Sequence, residues 1–163
     1  MMNGRLPMRY LAILTSCGML VAIASCSKET SNDVEKVVIE KEKHLLDEWG
    51  MGHTMVFVEN SAEDITYFDP SLVKRLDGRR AFIGLLGPIE NTFTVDRYEM
   101  IDPKVQAYGE VAILTFNLVD YSRNNQGEEQ KTSWNATEVY RRAGNAWQIV
   151  HSHWSFTNPD IRR

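Results

Sequence analysis

Apolar residues change their period along this chain, and each change marks an element. An unbroken apolar run, YLAILTSCGMLVAIA at residues 10–24, comes first, followed by a polar stretch without periodicity, SKETSND at residues 27–33. From there Val34, Val38, Leu45, Trp49 and Val56 recur at the spacing of one helix face, with EKEKH between them as the solvated side. Gly50 and Gly52 break that helix, and a second helical piece runs to about Asn60. DITYFDP predicts a short strand stopped by Asp-Pro. DGRRAFIGLLGP predicts a short helix with Asp77 as its acidic N-cap and Gly-Pro as its stop.

The remaining pattern is β. NTFTVDRYEMID alternates, KVQAYGEVAILTFNLVDYS holds a tight turn near Gly109 before a long apolar strand, and NNQG marks a hairpin tip. KTSWNATEVYRR and NAWQIVHSHWSFT flank a second hairpin turn at RAG. Helices followed by a meander of strands imply an α+β fold, with the helices packed on one face of a curved antiparallel sheet. The 163 residues, 43% of them hydrophobic, suit one domain of ordinary size.

Composition changes the reading of the first segment. Arg5 and Arg9 precede the apolar run with no acidic residue among them, and the run is shorter than the ~20 apolar residues of a spanning helix. Its end, IASC at residues 23–26, resembles the lipobox of bacterial lipoproteins. That resemblance implies a signal peptide over 1–25, an acylated Cys26 followed by a polar tether over 26–33, and a domain over 34–163. The implied location is the bacterial cell envelope, anchored by lipid. Ser27 in place of an aspartate favours the outer membrane. With Cys17 in the removed leader no disulfide can form within the chain, so the core holds the fold unaided. Losing two arginines leaves the domain more acidic than the −4 of the whole chain, which argues against nucleic acid as a partner.

The order of elements, together with YFDPSLVKRLDG, RYEMIDPKVQ, AILTFNL and WNATEVYRR…WQIVHSHWS, resembles the nuclear transport factor 2-like superfamily. The match is to its SnoaL-like branch, close to the association domain of calcium/calmodulin-dependent protein kinase II. The resemblance implies a cone-shaped half-barrel with an internal pocket, commonly a homodimer, and no single reaction. It also implies that position 138 faces the cavity, where the kinase domain carries an arginine and this chain carries Glu138.

Candidate chemistry gathers at WQIVHSHWS. A two-residue turn at Ala143-Gly144 would set Glu138 opposite Ile149, Ala136 opposite His151 and Trp134 opposite His153, so that Trp134, Glu138, His151 and His153 share one surface. A bulge would scramble that set. On this register His151 or His153 is a candidate base with Glu138 as its acid or orienting partner. The two histidines could also present imidazoles to zinc with Glu138 as third ligand, but the family is not generally metal-dependent and no metal is expected. Simple hydrogen-bonded lining is the third possibility. Tyr67, Asp69, Trp49 and Trp134 are the candidate ligand-binding residues, although Asp69 also suits a structural Asp-Pro turn. No nucleotide loop, nucleophile elbow or paired CxxC occurs, so no cofactor is expected. Three functions follow: a pocket for a small, partly apolar molecule, a cofactor-free lyase, isomerase or hydrolase, and a homo-oligomeric assembly module.

Overall fold

A computed structural model describes Met1 and residues 30–157. The expected leader, Cys26 and most of the tether lie outside the described residues. Helix α1 (Ser31–Gly50) begins within the stretch read as tether. Thr30 caps it: its hydroxyl accepts from the Asp33 N–H while the Asp33 carboxylate accepts from the Thr30 N–H. This reciprocal pair satisfies two donors that a helix start leaves open. The buried face of α1 is Val34, Val38, Glu42, Leu45 and Leu46. Glu42, read from EKEKH as solvated, is fully buried. It lies four residues after Val38 and three before Leu45, in phase with the apolar stripe.

Helix α2 (Met55–Glu59) follows the Gly50–Gly52 break. Gly52 sits at φ +90°, and a Cβ there would stand 2.6 Å from the Phe93 carbonyl oxygen, so both conformation and space demand glycine. The chain continues through β1 (Ser61–Phe68), β2 (Leu76–Asp77) and α3 (Arg79–Leu86). The N-cap of α3 is Gly78, with no side-chain cap. The expected cap, Asp77, instead pairs with Arg75 at 2.5 Å, because its strand pairing with Thr66 turns it away from the helix.

Four long strands complete the domain: β3 (Arg97–Tyr108), β4 (Val111–Arg123), β5 (Glu129–Ala143) and β6 (Ala146–Phe156). The six strands form one curved, unclosed sheet in the order β2-β1-β6-β5-β4-β3. The helices pack on its concave face, giving the expected α+β half-barrel. One pairing departs from the antiparallel expectation. β1 runs parallel to β6, since the first strand lies beside the last. The core between sheet and helices is built from Val38, Leu45, Ile65, Leu114, Tyr140 and Ile149, each essentially buried.

Three register shifts interrupt the sheet, one of them in the β1–β6 pairing between Ser61 and Thr66. In β3 the register shifts between Ile101 and Lys104, with Asp102 at φ 47°. In β5–β6 it shifts where Tyr140 pairs with Ile149 but Val139 pairs with His151, leaving Val150 as an extra residue. An inserted residue bends a strand and reverses which face every later side chain takes.

Candidate functional site

That bulge decides the site. Below it Trp147 and Ile149 point into the core; above it Ser152 and Trp154 do. Glu138 pairs with Ser152, Ala136 with Trp154, and Trp134 with Phe156, whereas His151 and His153 pair with Val139 and Thr137. His151 and His153 therefore lie on the outer face of the sheet, opposite Glu138 and Trp134. The single surface expected from an unbroken register does not form. The turn itself also differs, being closed by Ala143 and Ala146 with Gly144 at φ 63°.

On the outer face the His151 ring nitrogen Nδ1 lies 2.8 Å from the Thr66 hydroxyl on β1. Burial, with the neighbouring His153 adding to it, holds the His151 imidazole below its ordinary range and favours the neutral ring. Phe68 packs beside both histidines, with ring centroids 6.2 and 5.4 Å away. No group of three or more metal-ligating side chains occurs among the described residues.

The concave face holds a cavity of about 110 Å³. Leu46 and Trp49 reach it from α1, Phe57 from α2, Tyr67 and Asp69 from β1 and its exit, and Phe82 and Leu86 from α3. The sheet contributes Tyr98, Leu118, Asp120, Trp134 and Trp154, with Val95 at the approach to β3. Trp49, Tyr67, Asp69 and Trp134, chosen from the sequence as ligand-binding candidates, thus come together here. Trp49 is wedged between Phe57 and Phe93 at 5.7 and 5.1 Å, and Tyr67 lies 4.9 Å from Phe82. Trp134 and Trp154 meet edge to face at 6.1 Å. Such packing holds large rings without many soft torsions, so the walls are preformed.

Polar groups are few and placed at defined points. Asp120 Oδ2 accepts from Trp134 Nε1 at 2.5 Å, and partial burial raises its carboxyl above the usual range. Asp69 accepts from the Ser71 N–H at 2.7 Å and from the Ser71 hydroxyl, as a turn residue does. It also accepts from the Tyr67 hydroxyl at 3.4 Å. Tyr98 donates to Asp47 at 2.7 Å. Asp69 therefore serves the turn and the cavity wall together.

Glu138 is fully buried in the interior. Its Oε1 accepts from the Ser152 hydroxyl at 2.8 Å and from Trp154 Nε1 at 3.1 Å. Glu42 on α1 accepts a short hydrogen bond from the Tyr140 hydroxyl. Each carboxyl leaves one oxygen without a protein partner among the described residues. Burial raises Glu42 to about 7 and Glu138 well above its ordinary value, the nearby Glu42 charge adding to the latter. Burial therefore favours the protonated form of Glu138 at neutral pH and leaves Glu42 divided between its two forms there. Glu138 thus anchors Trp154 in the cavity wall.

Asp120, Trp154 and Glu42 escaped the sequence reading. Asp120 did carry a signal, since it continues the even-numbered inward series Ala112, Leu114, Phe116 and Leu118. Trp154 did not, because only the bulge turns it inward.

A family model described as the SnoaL-like domain matches residues 50–159. A solved structure from Parabacteroides distasonis ATCC 8503, described as a candidate ketosteroid isomerase, is 35% identical, with a TM-score of 0.68 over 77% of this chain and 89% of that one. The chain belongs to the SnoaL-like domain family. An NTF2-like protein of unknown function from Pseudomonas putida KT2440 shares the fold at 21% identity, with a TM-score of 0.66 over 82% and 94% of the two chains. The CaMKII hub of S. rosetta shares it at 22% identity, TM-score 0.62, over 76% and 96%. No curated protein matches the chain.

Proposed function

We propose that this domain is a binding module that seats a small, partly apolar molecule in the concave cavity. The observation that carries this reading is the convergence of α1, α2, α3 and five strands or strand ends on one space, walled by aromatic rings and furnished with two carboxylates. Few polar groups in an apolar, preformed pocket suit orientation of a single-ring ligand. A thermal-melting screen of single-ring compounds tests it. Binders should raise Tm in proportion to the logarithm of their concentration. Val95→Trp, which fills the cavity from its half-exposed approach, should abolish the shifts. Shifts that survive in Val95→Trp would place binding elsewhere.

A second reading, cofactor-free acid/base catalysis, is favoured by Asp120. It is a half-buried carboxyl of raised proton affinity in the same cavity as the Tyr67 hydroxyl. The candidate ketosteroid isomerase among the relatives is consistent with such chemistry. Here Asp120, rather than His151 or His153, is the base. Asp120→Asn should reduce any turnover found by about 100-fold or more while leaving the fold intact.

The anchoring of this domain belongs to the same proposal. The basic start, apolar run and IASC support cleavage before Cys26, acylation there and an outer-membrane destination. Labelled palmitate should enter the wild type and not Cys26→Ser; equal labelling of both removes the anchor. Homodimerisation through the outer sheet face is supported by the exposed Phe68, which pairs with His153 on that face, and by hub-forming proteins of the same fold. Sedimentation of the detergent-purified chain as a monomer at micromolar concentration counts against it.

A further inference from the structure

We propose that the cavity selects small organic cations, an aromatic or alkyl ammonium in particular. The inference rests on the binding role proposed above and adds the charge of the ligand. Among the described residues no lysine, arginine or histidine lines the cavity, while Asp69 and Asp120 do. Only one oxygen of Asp120 receives a hydrogen bond from a described residue, the one held by Trp134. Its carboxylate already stands partly out of water, so its remaining acceptor gains from a charged donor.

The walls favour the same charge. Trp49, Trp134, Trp154 and Tyr67 line the same cavity as the two carboxylates, and the face of an aromatic ring attracts cations. An anion would meet two carboxylates with no compensating base. A neutral ring would satisfy the walls but leave the Asp120 acceptor unmet. A cation of one-ring size satisfies both; because about 110 Å³ is less than the ~150 Å³ of a cavity that holds benzene, such a ligand would fill the cavity and extend into its open mouth.

Three probes of one size and different charge decide the matter: benzylammonium, benzyl alcohol and benzoate. The readout is the indole N–H resonance of each of the four tryptophans in the full chain. Trp49, Trp134 and Trp154 line the cavity. Trp147 lies elsewhere, with the Arg142 guanidinium 4.5 Å from its ring, and serves as internal control. Benzylammonium should shift the three cavity signals and leave Trp147 in place, binding about 10-fold more tightly than benzyl alcohol. Benzoate should shift none. In Asp69→Asn/Asp120→Asn the preference should vanish while benzyl alcohol still binds, which also reports that the variant is folded. Equal affinity for the amine and the alcohol in the wild type overturns the charge inference and leaves the binding role standing. A preference for benzoate, or a preference retained in the double variant, overturns it too. If no probe moves the three signals, the binding role fails with it.

Discussion

Glu42 and Glu138 place two carboxyls in the interior, and this has a cost that depends on pH. Glu42 is raised from 4.5 to about 7 by burial, against the lowering effect of the Tyr140 hydrogen bond. Below about pH 4.5 folded and unfolded chains both hold the proton, so the group is neutral to the balance. Between about 4.5 and 7 the unfolded chain releases it while the folded chain keeps it, and stability falls as pH rises. Glu138, raised further, extends the fall above 7. The loss from Glu42 alone is on the order of 3 kcal/mol. Glu42→Gln, which keeps an acceptor for Tyr140, should therefore raise Tm at pH 8 and flatten the fall between pH 5 and 7. Calorimetry across pH checks this, and a variant less stable than wild type at pH 8 contradicts it. Carboxylates lowered by their partners, such as Asp64 beside Arg141, act in the opposite direction and only in the acid range.

Among the elements, the helices and strands were legible because their periods are regular, and the points where a period breaks were not. The apolar spacing of α1 revealed its length but hid Glu42, since an acidic residue in the stripe reads as solvated until its Tyr140 partner on β5 is known. The strand positions from Arg97 onward followed from alternation and turn residues. The β6 bulge followed from neither: Val150 is an ordinary strand residue, and its extra place depends on pairing with β5 and β1. One inserted residue moved His151 and His153 from the expected pocket to the outer face. The link between α1 and α2 depends on local strain relief at Gly52. Gly52→Ala must accept a Cβ 2.6 Å from the Phe93 carbonyl at a positive φ, displacing the segment that carries Phe93 against Trp49. A loss of about 2 kcal/mol or more is expected in urea unfolding; an unchanged midpoint would show that the turn relaxes freely.

The whole molecule is a set of helices roofing a curved sheet, with the space between them left partly unfilled. Trp134 could be chosen from the sequence because strand alternation puts it on the face of Glu138, which the family resemblance turns toward that space. Asp69 followed from the resemblance, and Trp49 and Tyr67 from their places on the first helix and first strand. Asp120 and Trp154 needed the assembled sheet. The account stands on the claim that ligand occupies this cavity and that the outer histidines take no part. Native mass spectrometry of the gently purified full chain tests that claim most directly, through the mass it carries in three forms. The wild type and His151→Ala/His153→Ala should retain the same small-molecule mass, and Val95→Trp should lose it. Loss from the histidine variant with retention in Val95→Trp would return the site to the outer face and contradict the account.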